Sequence, residues 1–370
     1  MLWRNFALSH RPNSAEYGRT PGGQFLLTTR SGINHFHGSV FDYFRNDAMD
    51  ARMCFNQAPE TKPDLRQNDF GGTFSGPVRI SHLYNGADRT FFFFAYEGLR
   101  LHTPSTFVGD TVPSTCLRGL VPTGLQGYVN AYPIPTADDV ACPGSTTLVG
   151  TGVALSSGAY SQPGSLDTTG LRIDHNINDR FKIFVRYNHS PSELDTRDNH
   201  IVSLVNHNRS QVDSVTAGAI YTFSNRLVND LRFNYTVNAS GLTYTSDNIS
   251  GAQPWDLFNS SSFGDGNWAF MGFAIPGAFS LSSAVPSTLR QHQINVVDGF
   301  NYSLGRHNLK FGVDYRRIDT PLDTPPFQTF LYFTTVDQQL DNSSKIEVTR
   351  YGGPFDPVFS NLSLLGVVNK

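Results

Sequence analysis

Several residues have the chemistry for catalysis or metal binding, but their spacing does not assemble a site. His35 and His37 form a His-x-His pair, and in a strand both imidazoles would face one side, as a metal site requires. A zinc site needs further ligands, and none follows at a useful spacing. Asp167, Asp174 and Asp179 are scattered, and we expect them in turns or on the polar face of a strand. We therefore predict no metal site.

The remaining composition argues against an enzyme and against a nucleic-acid partner. The Gly-x-Ser-x-Gly, His-Glu-x-x-His, Walker A and Gly-x-Gly-x-x-Gly motifs do not occur in a useful context, so we predict no catalytic residues and no cofactor. The net charge of −3 gives no basic surface for nucleic acid. Cys116 and Cys142 are able to pair in an oxidising compartment, which would leave Cys54 over, and three unpaired thiols fit the sequence equally well.

One segment, residues 245–289, combines aromatic residues with Gly, Ser and Asn. Trp255 and Trp268 are its largest side chains. Exposed aromatic rings with adaptable polar neighbours suit the capture of glycans or peptides, so these two are weak candidates for ligand binding. The same rings would also fit a loop packed on itself or anchored at a membrane interface.

The elements that must carry these residues show alternation with a period of two. From Leu227 to Ala239 one row is almost wholly apolar, and the other is nearly all polar or charged. Similar rows follow Phe181, Val215, Ile294 and Leu309. Alternation with 13% aromatic residues predicts an all-β, antiparallel protein, although a soluble sheet would share this pattern.

Strand length and connection length favour a membrane barrel over a soluble sheet. Tight connections near residues 176–179, 224–226 and 305–306 alternate with long ones, at about 102–165, 190–211 and 245–289. Bacterial outer-membrane barrels alternate short periplasmic turns with long outer loops, and about ten tilted residues cross their apolar band. We predict an antiparallel transmembrane β-barrel, with the apolar rows towards lipid and the polar rows towards a lumen.

The first hundred residues carry a more specific pattern. Its segments are NSAEYGR (13–19), GGQ (22–24), TTRSGIN (28–34), FHGS (36–39), FRND (44–47), DAR (50–52), NDFGG (68–72), GP (76–77), DRTFFF (88–93) and YEG (96–98). Together these segments resemble the TonB-dependent outer-membrane receptors, in particular the Oar-like subgroup, at the end of the plug domain and the start of the barrel. The resemblance implies a plug–barrel junction at Gly22, Gly23, Arg30, Ser31 and Gly32.

This resemblance implies both a domain division and a function. Residues 1–36 would be the C-terminal end of the plug, and residues 37–370 the N-terminal part of the barrel, with about nine or ten of the family's 22 strands. Because the chain shows no signal peptide, TonB box or closing strands, we expect a fragment of a longer receptor in the outer membrane of a Gram-negative-type bacterium.

The implied activity is energy-coupled passage of an unidentified small molecule, glycan or peptide, by import or secretion. The expected partners are outer-membrane lipid and a TonB-type energy-coupling protein. Two alternatives remain open at this point. One is a structural or adhesive barrel without transport, and the other is a soluble all-β protein that binds or hydrolyses carbohydrate.

Overall fold

A computed structural model describes most of the chain. The described residues are 3–9, 24–51, 64–121, 123–137, 153–197, 201–254, 271–275, 279–283, 287–323, 327–332, 345–350 and 366–367.

The described residues are predominantly β-strands, with two short helices in the connection after the seventh strand. The helices are α1 (Thr115–Leu120) and α2 (Thr123–Asn130), and single 3-10 turns occupy Asp47–Met49 and Ile249–Gly251. The strands are β1 (Trp3–Ser9), β2 (Gln24–Thr29), β3 (His37–Asn46), β4 (Arg66–Pro77), β5 (Arg79–Ile80), β6 (Tyr84–Asn85), β7 (Thr90–Pro113), β8 (Val153–Asn178), β9 (Phe181–Arg197), β10 (Leu204–Ser224), β11 (Leu227–Ser246), β12 (Met271–Ile275), β13 (Phe279–Ser283), β14 (Ser287–Leu304), β15 (His307–Asp319), β16 (Leu322–Asp323), β17 (Phe327–Tyr332), β18 (Lys345–Arg350) and β19 (Gly366–Val367).

The main body is one antiparallel ten-stranded sheet. Its order is β15-β14-β11-β10-β9-β8-β7-β4-β3, with β16 also paired to β14. Within the described ranges, β3 and β15 are the two ends of this order and do not pair with each other. The predicted antiparallel all-β class and the expected nine or ten strands are confirmed. Three smaller sheets share no strand with it: β1-β2, β5-β6 and β13-β12-β17-β18-β19. In the last of these, β12 pairs with β17 in parallel.

Local chemistry sets the tight connections at one end of the sheet. The Asn178 side-chain oxygen accepts from the backbone N–H groups of Arg180 and Phe181, both at 2.9 Å, which closes the turn between β8 and β9. Gly305 turns the chain between β14 and β15 with a φ of 60°, which a residue with a Cβ adopts at a cost. Each tight connection fixes the register of the strands that leave it.

The strands are longer than alternation alone predicts. β7 has 24 residues and β8 has 26, and the two pair along almost their whole length. The predicted long connection over 190–211 is wrong, because β9 continues to Arg197 and β10 begins at Leu204. The strands extend because hydrogen bonding between neighbouring strands continues from the tight turns after the apolar alternation has ended.

Two observations concern burial and helices. Most buried apolar side chains lie at the end of the sheet opposite the tight turns, around α1, α2 and residues 201–205, and few lie along the strands. Among the residues that can be described, no helix has the length and apolar character needed to span a membrane.

Candidate functional site

The two faces of the ten-stranded sheet differ in chemistry, as the alternation predicts. Residues paired directly across neighbouring strands point to the same side of a sheet, so the register assigns each side chain to a face. We call one side the apolar face. Its members are Val40, Phe74, Phe92, Phe94, Leu171, Ile173, Ile183, Val185, Tyr187, Val215, Ala217, Ala219, Leu231, Phe233, Tyr235, Ile294, Val296, Phe311, Val313 and Tyr315.

No second layer covers the apolar face in the described part of the chain. Phe233 keeps 40% of its surface exposed, Val185 keeps 49% and Val313 keeps 68%. A soluble sandwich would seal such a face against another sheet, and a water-soluble protein rarely leaves so large a contiguous apolar surface open. The face therefore has the chemistry of a surface that meets hydrocarbon.

A row of tyrosines ends the apolar face at the side away from the tight turns. Tyr96 donates its hydroxyl to Asp167 at 2.6 Å, and Tyr187 donates to Asp213 at 2.8 Å. The hydroxyl of Tyr235 lies 3.0 Å from Nδ1 of His292. Each ring continues the apolar row and each hydroxyl reaches a polar group, which is the arrangement expected at a membrane–water interface.

The opposite side, which we call the polar face, carries charges of both signs in mutual contact. Arg172 forms a two-point ion pair with Asp174, at 2.6 and 2.8 Å, and its guanidinium lies 4.2 Å from the ring centre of Phe184. Arg232 pairs in the same way with Asp230. Paired charges of this kind suit a wet or partly filled cavity, since isolated charges would be costly there.

The N-terminal segment lies against the polar face. Arg172 also donates from Nη1 to the hydroxyl of Thr29 at 2.9 Å, which joins the end of β2 to β8. Gly32 is buried where the segment passes β4 and β7, and a Cβ there would contact the carbonyl oxygens of Phe92 and Gly76. The side-chain oxygen of Asn34 then accepts from the backbone N–H of Asp88 at 2.7 Å, before β3 begins.

Comparison with known proteins gives the family. A family model described as an outer membrane beta barrel domain matches residues 28–351, which is most of the chain. The chain belongs to this outer-membrane β-barrel family.

A solved structure agrees with this assignment at the level of the fold, and a second is reported beside it. The outer membrane transporter YddB of Escherichia coli superposes with a TM-score of 0.56 at 10% identity, over 95% of this chain and 39% of that one. The ferric-catecholate import receptor Fiu of E. coli K12, in its open form, has a TM-score of 0.42 at 12% identity, over 86% of this chain and 50% of that one. The chain therefore spans half or less of the length of these structures. No curated protein matches the sequence.

Family membership orients the barrel in the outer membrane. The apolar face meets lipid, the polar face lines the lumen, and the tight turns lie at the periplasmic end, as in other bacterial barrels. The family is one of membrane barrels and not of enzymes, in agreement with the sequence-based prediction. The alternative of a soluble all-β protein that binds or hydrolyses carbohydrate does not hold, because the chain belongs to a family of outer-membrane barrels.

At the extracellular end, three connections pack into one buried core. We call the packed residues 114–121, 123–137, 201–205 and 247–254 the outer cap. Leu117, Val129 and Tyr132 are fully buried in it. The Ser203 hydroxyl donates to the carbonyl of Ala131, and the backbone N–H of Gln253 donates to the carbonyl of Asn130 at 2.8 Å. The cap is thus a small folded unit on top of the barrel.

A single arginine ties the helices of the outer cap to the chain around them. Arg118 donates to the carbonyl oxygens of Pro113, Tyr132 and Pro133 at 3.1, 3.2 and 2.6 Å.

Cys116, in α1, is disulfide-bonded, and Cys142 lies outside the described residues. Burial raises the pKa of the Tyr128 phenol, because the ionised form would lose its hydration.

The described residues contain one cluster of metal-ligand types, which the sequence did not indicate. Potential ligand atoms of Glu193, Asp195 and His207 lie within 4.8 Å of one another. They lie on the same side of the sheet as the apolar face, above the tyrosine row, and we call this whole side the lipid-side face. His207 already contacts Asp195 and Thr245, both at 2.7 Å, and Glu193 pairs with Arg209 at 3.1 Å. Internal partners therefore satisfy all three groups, which link neighbouring strands through hydrogen bonds and the Glu193–Arg209 ion pair.

The predicted site residues have different outcomes. Arg30 and Ser31 are exposed in the segment before β3, whereas Gly32 is buried against the barrel. Gly22, Gly23, Trp255 and Trp268 lie outside the described residues, so their roles stay predictions. His35 precedes β3 and His37 is its first residue, so the two do not share a strand face.

Asp167 lies on the lipid-side face, contrary to its predicted position, and Asp298 lies on the same side. Asp167 was expected in the lumen or in a turn, but its register partner Gly98 places it on the lipid-side face, where it bonds Tyr96 and Arg100. The strand position alone did not show that β8 rises above the apolar band at this point. Asp298 lies on the apolar face itself and accepts a hydrogen bond from Asn229 on the neighbouring strand.

Proposed function

We propose that this chain is part of an energy-coupled outer-membrane transporter of the TonB-dependent, Oar-like type. Residues 1–36 form the end of the plug and residues 37–370 the first part of the barrel. A small molecule, glycan or peptide binds at the extracellular side, and a TonB-type protein in the periplasm supplies energy by pulling the plug. In this proposal the chain performs no covalent chemistry.

One observation carries the proposal: the N-terminal segment contacts the lumen face. A purely structural barrel has no need of a preceding hairpin held against its inner wall. Here Thr29 accepts from Arg172, an arginine whose ion pair with Asp174 fixes its position. The guanidinium of Arg172 therefore forms a polar, reversible contact between the N-terminal segment and the inner wall of the barrel. Such a contact breaks at modest cost when both partners can be hydrated.

The buried Gly32 supports the same interpretation, since it lets the chain pass close to the wall at the periplasmic side. The contacts around it include the carbonyls of Phe92 and Gly76. A close passage at this point holds the segment at the lumen entrance, and residues after it enter β3 directly. Gly32 is thus the fixed end about which a plug would move.

Crosslinking in intact cells tests both parts of the proposal. Cysteines replace Thr29 and Arg172 in a Cys54→Ser background, and a short bis-maleimide joins them. The control pair replaces Asn234 and Asn295, which lie directly opposite each other on β11 and β14. We expect both pairs to crosslink in cells treated with a protonophore. In energised cells that contain the coupling protein, only the first pair should lose crosslinking, by several-fold.

Two results separate the ways in which the proposal fails. If the Thr29–Arg172 pair crosslinks equally with and without energy, the segment is a static filling, and the structural or adhesive barrel is favoured. If that pair never crosslinks while the control pair does, the segment does not occupy the lumen, and the plug assignment falls.

A further inference from the structure

The lipid-side face continues upward as a charged surface beyond the tyrosine row. Three arginines project there: Arg100 from β7, Arg209 from β10 and Arg290 from β14. Two strands, β8 and β9, separate the first two, and one strand, β11, separates the last two. We call these three the arginine belt. They belong to the same face as Phe94, Val215 and Ile294, and each lies four or six residues further from the periplasm. A lipid whose chains contact the apolar face would place its headgroup at this level.

The guanidinium groups of the arginine belt remain accessible to a further partner. Arg100 pairs with Asp167 at 2.9 Å and Arg209 with Glu193 at 3.1 Å, and both arginine side chains remain about half exposed or more. Arg290 is exposed and has no ion-pair partner among the residues the structure describes. An arginine on the lipid side of a barrel, without a protein carboxylate, is favourable where an anion from the membrane reaches it.

A groove lies between two members of the belt. Arg209 is directly opposite Gly241, and Arg290 is directly opposite Ala239, so the intervening strand β11 presents only small side chains between the two guanidiniums. The depression extends from β8 to β14 and has a volume of about 480 Å³, and Gln211, Asp167 and Glu193 also line it. Its size and its two flanking guanidiniums suit a phosphate group, which arginine binds through paired hydrogen bonds.

We propose that the arginine belt binds the phosphate-bearing headgroup of an outer-leaflet lipid, with the phosphate between Arg209 and Arg290. The acyl chains of that lipid lie on the apolar face below, and its sugar or glycerol hydroxyls contact the neighbouring carboxylates and Gln211. Continuity with the lipid-facing band favours a lipid over a soluble anion, because a free phosphate would gain nothing from that band.

The test uses the purified full chain in detergent, with bound lipids counted by native mass spectrometry. The probes are diphosphoryl lipid A and, for comparison, phosphatidylcholine. The variants are Arg209→Ala, Arg290→Ala, their combination, and Arg290→Lys. The matched control is Arg306→Ala, which removes an arginine from the tight turn at the opposite end of the sheet. Heat-modifiable migration on gels verifies that each variant is folded.

We expect each alanine substitution to weaken lipid A binding about fivefold and the combination about 30-fold, since an arginine near an anionic surface contributes roughly 1 kcal/mol. Arg290→Lys should retain most of the affinity, and Arg306→Ala should match the wild type. Equal affinity of the double variant and the wild type would overturn the proposal. Displacement of lipid A by millimolar inorganic phosphate would also overturn it, in favour of a free-anion site.

Discussion

Gly32→Ala offers the sharpest test of how the N-terminal segment is held. The added Cβ would contact the carbonyl oxygen of Phe92, and would lie 2.9 Å from both the carbonyl oxygen of Gly76 and the Cβ of Phe91. Two of these neighbours are backbone atoms of paired strands, so they cannot move aside without disturbing β4 and β7. Overpacking of this kind costs about 1–3 kcal/mol.

Alanine also restricts the unfolded chain more than glycine does, and this effect offsets part of the cost of overpacking. Replacing Gly by Ala stabilises a protein by about 0.4–1 kcal/mol through the unfolded state where the native geometry accepts the change. We therefore expect a net loss of about 1–2 kcal/mol in the free energy of unfolding. The measurement is unfolding by guanidinium of protein refolded into lipid vesicles, followed by tryptophan fluorescence.

The matched control is Gly119→Ala in α1, where an added Cβ has no neighbour within 4 Å. Alanine is the better helix former, so this variant should keep or gain up to about 1 kcal/mol. The reasoning is refuted if Gly32→Ala unfolds at the same guanidinium concentration as the wild type. It is also refuted if Gly119→Ala loses as much stability as Gly32→Ala does.

Three further predictions concern the barrel and its cap. Phe233→Arg places a charge on the lipid-facing side and should cost about 2–4 kcal/mol, whereas Asn234→Arg on the lumen side should cost little, as folding yields in lipid vesicles will show. Leu117→Ala empties a fully buried position and should destabilise the outer cap by about 2–5 kcal/mol, which surface proteolysis of whole cells measures; wild-type resistance would contradict it. Burial raises the pKa of Tyr128. The contribution of its neutral phenol to the stability of the cap is therefore fully present below the ordinary tyrosine pKa and is lost as pH rises above it. Tyr128→Phe should abolish that alkaline loss in a pH series of cap unfolding.

The transmembrane part of the fold was predictable because one physical requirement shapes its sequence. Every second residue must meet hydrocarbon, so the rows that contain Phe233 and Val185 alternate strictly and reveal the strands. The tight turns were equally readable, since Asn178 and Gly305 have the side chain or the backbone freedom that a turn needs.

The extracellular half was not predictable in the same way. Above the tyrosine row both faces of a strand meet water or polar groups, so alternation ends while hydrogen bonding between strands continues. The sequence alone therefore assigns Glu193 and Arg209 to a loop, although they lie on paired strands. The outer cap depends on contacts between distant segments, such as Ser203 with Ala131, which no local pattern encodes.

Strand length also determines how far the barrel projects from the membrane. About ten residues of a tilted strand cross the apolar band, whereas β7 has 24 residues. The roughly fourteen remaining residues, at about 3.3 Å each and a tilt of about 40°, rise roughly 35 Å above the bilayer. The outer cap stands on top of that height. Antibodies and bacteriophages would therefore meet the disulfide-bonded outer cap well above the lipid headgroups, before any contact with the membrane itself.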